Sequence, residues 1–450
     1  MKCTFVENLK IEKMRILESY LTLLILILGP SCIAQTKTIS FENVNVIPMH
    51  TDTIILNQRV IIRNGKISRI ESASKPVVDN IDISVQASGK YLIPGLVETH
   101  YHLQNNIENE FKLLIANGIT SARNMAEYQG QDHIAIRQKT QSNSIISPHY
   151  YTTGPYLKRN HFKHIDSVNA IVQYHKKRGY DYLKIADNLP KEIYLKLLET
   201  AQKEKVQIVG HGQRELPLEF SLRMKSIAHM EEFLNILSKE ERNSIYYLTR
   251  AAKEIKTSGV YVSPTLGIFE MIIRYADKNK SEVLNKNENI KYLPKQYSDY
   301  WKSDQINYRA NSWFTAKESM IRLQSEMEWQ MKFTLLLHKN GVPLMAGSDT
   351  YGLFLPGFSL HRELELIHSS GLSTYETLKT ATVIPARYLN KISQSGTINE
   401  GKLADLILLD KNPFEDISNT RTISGVLIKG QWFNRKKLDN LLLEVKNFNK

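Results

Sequence analysis

PGLVETHYH, residues 94–102, is an apolar, strand-like run that ends in two histidines. Side chains alternate between the faces of a strand, so His100 and His102 point the same way. At the carboxyl end of a barrel strand, that face is the mouth where TIM-barrel enzymes carry their chemistry. Two imidazoles placed there can share one metal ion. Taken alone, the pair could equally be two surface histidines.

Outward from this run, apolar stretches alternate with helical ones. Eight strands are predicted: LIPGLVET (92–99), ITSARNM (119–125), SPHYYTTG (147–154), DYLKIA (181–186), VQIVGH (206–211), SIAHM (226–230), GVYVSPTL (259–266) and VPLMAGSD (342–349). Helical segments such as PKEIYLKLLETAQKEK (190–205) fall between them, and several are closed by glycine, a usual helix-ending residue. Such alternation favours a parallel sheet, and eight repeats favour a closed barrel. The long stretch 267–339 holds Trp301, Trp313 and Trp329 and is expected to be a helical insertion. It could lie over the mouth as a lid or pack on the barrel side.

The flanks read differently. Residues 36–90 contain short strands, and Asn64-Gly65 between two of them suits the positive φ angles of a type I′ hairpin turn. Strands return as LADLILLD (403–410), ISGVLIKG (423–430) and QWFNR (431–435). The expected fold class is therefore α/β: a (β/α)8 TIM barrel over 91–390 with a small β-sandwich domain built from both chain ends, 35–90 and 391–435. Residues 436–450 are expected to be a C-terminal tail carrying a short helix.

Four further residues sit at or near predicted strand ends: Lys184, His211, His229 and Asp349. Each has a plain structural reading. A histidine there can be a hydrogen-bonded core residue, Asp349 a helix N-cap, and Lys184 a partner for a carboxylate. Together with His100 and His102 they form a set distributed around one rim. Imidazole and carboxylate without thiolate suit zinc or another divalent metal.

The leader narrows the chemistry. Lys10, Lys13 and Arg15 precede the apolar run 20–28, and Gly29-Pro30 and small residues follow. This is the pattern of a secretory signal peptide over 1–34, too short to span a membrane comfortably. It implies a secreted or periplasmic protein with no stable membrane span once the leader is removed. The alternative is an anchor through the N-terminal segment or Cys32. Both cysteines, Cys3 and Cys32, lie in the leader, so the mature chain has no disulfide and no thiolate ligand. The formal net charge is +13. No basic tract with interleaved aromatics concentrates it, so a general lysine excess fits better than nucleic-acid binding.

IPGLVETHYH (93–102), YLKI (182–185), GH (210–211), AH (228–229) and AGSD (346–349), in this order, resemble the amidohydrolase superfamily. GTINEGKLADLILLDKNPFEDI (396–417) resembles the C-terminal signature of the same enzymes. The resemblance runs from about Phe41 to Arg435. FTLLLHKNGVPLMAGSD (333–349) and PGFSLHRELELIHSSGLSTYETLKTAT (356–382) are most similar to the imidazolonepropionase-related branch that includes metal-dependent dipeptidases, or prolidases. It implies two divalent metal ions, zinc by first choice. His100, His102 and Asp349 would hold one, and His211 and His229 the other. A CO2-derived carbamate on Lys184 would bridge them. Asp349 would be the catalytic base and then acid. Glu98 stands where the family usually has Asp. Tyr101, Arg214 and His361 are candidate substrate contacts near the mouth. The implied activity is hydrolysis of the amide bond of a small molecule, a dipeptide or an N-acyl amino acid, by metal-activated hydroxide. Two other readings stand beside it: a single-metal cyclic amide hydrolase or deaminase of the imidazolonepropionase type, and a binding protein that has lost catalysis.

Overall fold

The computed structural model describes residues 37–77 and 80–450. The signal peptide expected over 1–34 lies outside the described residues. Among those residues, no helix is long and apolar enough to cross a membrane.

Strands from both ends of the chain share one mixed sheet. From the first end come β1 (Ile39–Val46), β2 (Ile55–Arg63), β3 (Lys66–Ser72), β4 (Ile83–Gln86) and β5 (Tyr91–Pro94). The parallel strands β6 (Leu96–Tyr101), β7 (Ile119–Asn124), β8 (His149–Thr152), β9 (Leu183–Ile185), β10 (Ile208–His211), β11 (Ser226–Ala228) and β12 (Tyr261–Ser263) follow. The second end returns β13 (Leu406–Leu409), β14 (Ile423–Ile428) and β15 (Gln431–Asn434). The mixed sheet runs β15-β14-β13-β5-β1-β2-β3, with β4 paired to β1. Asn64 and Gly65 both take positive φ, 52° and 68°, in the turn joining β2 to β3. In a flat sheet β1 and β15 would stand roughly 19 Å apart, four strand spacings. Yet the Phe41 and Trp432 rings meet edge-on with centroids 5.1 Å apart. The sheet therefore doubles back on itself, around a core that includes Phe41, Val60, Leu92, Leu406 and Leu427.

The single strand expected over 92–99 is two. β5 pairs with β1 and β13, whereas β6 opens the parallel set. The chain crosses between them at Gly95, where a Cβ would fall 2.1 Å from Thr120 Oγ1. Only glycine lets the backbone pass that close.

The parallel strands form two sheets, β6-β7-β8 and β9-β10-β11-β12, in a TIM-barrel-like α/β arrangement. Backbone hydrogen bonds link them on both sides. Asp181 N–H donates to Thr152 O (2.9 Å), and Leu157 bridges Ile185. On the other side, the segment 342–349 lies between β12 and β6. Met345 N–H donates to Val262 O (2.9 Å), Thr99 N–H to Ala346 O (3.2 Å), and Asp349 N–H to His100 O (2.7 Å).

The stretch 267–339 is helical. Its last helix, Lys317–Lys339, packs on the barrel flank through Leu323, Phe333 and Leu337. Earlier parts place Tyr275, Trp301 and Ile306 against Leu353–Leu355, just after Asp349. The C-terminal stretch carries a helix, Arg435–Phe448, that buries Leu438, Leu441 and Val445. Their three- and four-residue spacing is an amphipathic signal that the sequence carries in plain view.

Phe41→Ala should cost about 3–5 kcal/mol in urea unfolding. A double-mutant cycle with Trp432→Ala should return a coupling of about 0.5–1.5 kcal/mol. Strict additivity would mean that the two rings do not meet.

Candidate metal centre

Each rim residue is delivered by the carboxyl end of a parallel strand or just beyond it. His100 lies within β6 and His102 just past it, Lys184 is the middle residue of β9, and His211 is the last residue of β10. His229 follows β11, and Asp349 ends the segment beside β6. The strands can approach because Gly210 lacks a side chain. A Cβ there would lie 2.1 Å from Ile185 O and 2.9 Å from Lys184 Cγ.

The six side chains converge. His100 Nε2 is 3.2 Å from His102 Nε2 and 3.2 Å from Lys184 Nζ. Asp349 sits between the imidazoles. Its Oδ1 is 3.4 Å from His100 Nε2 and 3.1 Å from His102 Nε2, while Oδ2 is 3.7 Å from His229 Nδ1. The ring centroids of His211 and His229 are 4.5 Å apart. One ligand atom from each of His100, His229 and Asp349 fits within a 4.8 Å span, which suits a metal ion. Among the described residues the buried His100 Nδ1 has no hydrogen-bond partner. Its ring is thus oriented by the cluster alone.

A surrounding layer fixes these groups. The buried Glu98 carboxylate accepts from the His100 N–H (2.9 Å), the Ser348 N–H (2.9 Å) and the Ser348 hydroxyl (2.5 Å). His211 Nδ1 lies 2.7 Å from Glu232 Oε1, which leaves Nε2 for the cluster. A carboxylate behind a histidine is a common support for metal-binding imidazole. Arg214 holds Glu232 through Nε (2.6 Å) and Nη2. Tyr128 reaches His102 Nδ1 with its hydroxyl (3.3 Å) and stacks on the ring. His229, Thr265 and Asp349 all have left-handed backbones, with φ of 71°, 50° and 54°. Non-glycine residues hold that conformation at a cost, and such strain gathers at functional sites.

Burial sets the protonation states. It lowers the imidazoles of His100 and His102 and brings His229 to about 3, so all three are neutral, the form that binds metals. Burial alone would raise Asp349, but His100, His102 and His229 outweigh it and hold the carboxyl well below its usual range. Lys184 is brought down to about 8, mostly by burial, with Asp349 opposing and the cation of Arg123 adding to the fall. Burial would also raise Glu232, yet Arg214 and His211 bring it to about 2.

Two of the expected substrate contacts do not belong here. Tyr101 alternates away from His100 and His102, is fully buried, and donates its hydroxyl to Glu110. His361 is buried between Thr420 Oγ1 (2.9 Å) and Asn117 O (3.1 Å), where it ties its helix to the turn Ile417–Arg421 and to the end of the helix Ile107–Ala116. Arg214 does stand at the opening: its side chain is 39% exposed, beside His211 at 23%. Glu232 and Tyr128 escaped the sequence reading, because neither has strand-end placement or ligand spacing.

Neutral imidazoles and an ionised carboxylate at the carboxyl ends of parallel strands are the working parts of a TIM-barrel hydrolase. The chain belongs to the amidohydrolase family, whose model matches residues 91–433, and it is a hydrolase of amide carbon–nitrogen bonds. That family generally binds divalent metal. Ochratoxinase of Aspergillus niger is 24% identical over 368 residues, covering 72% of this chain and 71% of that protein. Among solved structures, bottromycin amidohydrolase superposes with a TM-score of 0.71 at 18% identity, over 94% of each chain. An Xaa-Pro dipeptidase with methionine in its active site gives 0.66 at 17% identity, over 88% of this chain and 100% of that one.

Two buried carboxyls away from the cluster make stability depend on pH. Burial raises Glu110 to about 7 and Glu363 to about 8, against opposition from their hydrogen-bond donors. Each binds its proton more tightly folded than unfolded, so its contribution is complete below the unfolded value and lost as pH rises through 7 to 8. Glu232 runs the other way: its contribution is present above the unfolded value and lost as pH falls toward 2. Urea midpoints of the metal-free protein should therefore fall between pH 6 and 8, and Glu363→Gln should flatten the decline. Equal midpoints across that range would contradict the assignment.

Proposed function

We propose that this chain hydrolyses the amide bond of a small substrate, a dipeptide or N-acyl amino acid, at a two-metal centre with zinc as the first-choice ion. His100, His102 and Asp349 would hold one metal, His211 and His229 the other, and a carbamate on Lys184 would join them. The observation that carries this reading is the convergence of the six side chains, with Lys184 Nζ 3.2 Å from His100 Nε2 and 3.5 Å from His102 Nε2. An ammonium is a poor neighbour for metal ligands. An amine near pKa 8 is partly neutral at physiological pH and can add CO2. The N–C bond forms, the neutral amine gives up one proton, and the side chain becomes an anionic two-oxygen ligand.

Bound divalent metals supply Lewis acidity and water activation near neutral pH. The chain supplies the proton path. Asp349, ionised and partly open to the mouth with 19% of its side chain exposed, takes a proton from the attacking water. It returns that proton to the departing nitrogen, so that the C–N bond breaks to acid and amine. Arg214 spends Nε and Nη2 on Glu232, and its Nη1 makes no bond among the described residues. That nitrogen can receive a substrate carboxylate. The name of one similar structure, an Xaa-Pro dipeptidase, agrees with a dipeptide substrate.

The same reading closes the parallel strands into an eight-membered ring, with 342–349 as the eighth. It sets 35–90 and 391–435 apart from 91–390 as a β-sandwich module, and it takes 1–34 as a cleaved leader of a secreted or periplasmic protein. The tight grouping of His100, His229 and Asp349 gives the single-metal reading its one foothold.

Asp349→Asn should fold normally and lose roughly 10²–10⁴ of turnover; near-normal rates would remove its proposed role. Elemental analysis in bicarbonate buffer should find two zinc-like equivalents per chain, falling in Lys184→Ala. One equivalent, indifferent to that change, would favour the single-metal enzyme and direct assays to cyclic amides. No metal would favour a binding protein.

A further inference from the structure

A cleft of about 440 Å3 opens at the other end of the parallel strands, remote from the metal centre. Its walls include Thr120 and His149, at the starts of β7 and β8, and the turn Lys429-Gly430 between β14 and β15. A second cleft of about 680 Å3 continues it along the terminal sheet and shares His149, Asp405 and Lys429. Such volumes suit a small molecule.

The lining is strongly cationic. Across both clefts stand Lys37, Lys391, Lys429 and Lys437 against the single carboxylate of Asp405, four to one. The whole chain holds 59 basic to 46 acidic residues, so the local excess is not the general lysine surplus. Asp405 is already engaged: Oδ2 lies 2.9 Å from His149 Nε2, and Oδ1 accepts the Lys429 backbone N–H (3.0 Å). The Lys429 ammonium donates only to neutral oxygens, Thr140 O (2.8 Å) and Ser147 Oγ (3.0 Å). Burial brings it down to about 8. Lys391 has no side-chain partner among the described residues.

The backbone gives a second, independent pointer. Two hairpin turns lie side by side, with a Cβ on Gly65 falling 3.7 Å from Gly430 N. Both have paired positive φ angles, 52° and 68° at Asn64-Gly65 and 49° and 74° at Lys429-Gly430. Asparagine is the favoured residue at the first position of such a turn, and the first turn uses it. The second holds a lysine in the same strained conformation, aimed into the cleft. Its bonds to Thr140 O and Ser147 Oγ account for part of that choice; they leave the ammonium without a hydrogen-bonded carboxylate, which a ligand with negative charge would supply.

We propose that this cleft binds a small oxyanion-bearing molecule, a phosphate or polycarboxylate, between Lys429 and Lys391. The site is separate from the metal centre and does not depend on the function proposed for it.

Lys429→Asn is the discriminating variant, because it removes the cation while supplying the residue the turn prefers. Calorimetric titrations with orthophosphate, pyrophosphate and succinate, at constant ionic strength set with chloride, would test it. Binding of at least one probe to the unaltered protein is expected, weakened at least tenfold in Lys429→Asn and in Lys391→Gln. The melting temperature of Lys429→Asn should be unchanged or higher, and its hydrolase activity intact. Preference for pyrophosphate over succinate would identify a phosphorylated ligand, and the reverse a carboxylate. No binding beyond the chloride control would overturn the proposal. So would equal binding by the variants, which would place the anion elsewhere and leave Lys429 as a tie between the turn and its neighbours.

Discussion

Asp349 must face His100 and His102 across 250 residues of intervening chain, and the Glu98 carboxylate is what joins the two ends of that span. It lies in the same strand as His100 and accepts both the backbone N–H and the hydroxyl of Ser348, the neighbour of Asp349. Glycine at 347 lets the segments close, since a Cβ there would sit 2.7 Å from His100 Cβ. Loss of this Glu98 strap would free Asp349 without touching any ligand.

Around that strap, the barrel interior is polar in an ordered way. Imidazoles are kept neutral by burial, and one carboxylate is kept ionised by the imidazoles around it. Arg123 is buried, held by Thr99 O and the hydroxyl of Tyr388, whose ring it faces at 4.8 Å. No carboxylate bonds to it among the described residues. Buried charges demand compensation. An anion on Lys184 would provide it without any change of fold.

Much of this was legible in the sequence because strands alternate. Alternation put His100 and His102 on one face, and apolar runs placed Lys184, His211, His229 and Asp349 at strand ends. The same rule, applied to Tyr101, would have turned it away from the mouth. Glu232 and Tyr128 stayed hidden because their roles depend on where loops carry them, and loop paths have no periodicity to read. The break at Gly95 was missed because LIPGLVET is uniformly apolar. Only the contact with Thr120 separates a sheet strand from a barrel strand there.

The terminal sheet also dictates an order of assembly. β5 hydrogen-bonds to β13, with Ile93 opposite Ile407, so one edge of β5 has no partner until more than three hundred further residues have emerged. Loop closure over such a distance is slow and comes late in folding. Until then β5 is an open edge of apolar residues, the sort of surface on which unfinished chains aggregate. A chain halted within the barrel would carry all of its rim histidines and still lack the strand that seals its beginning.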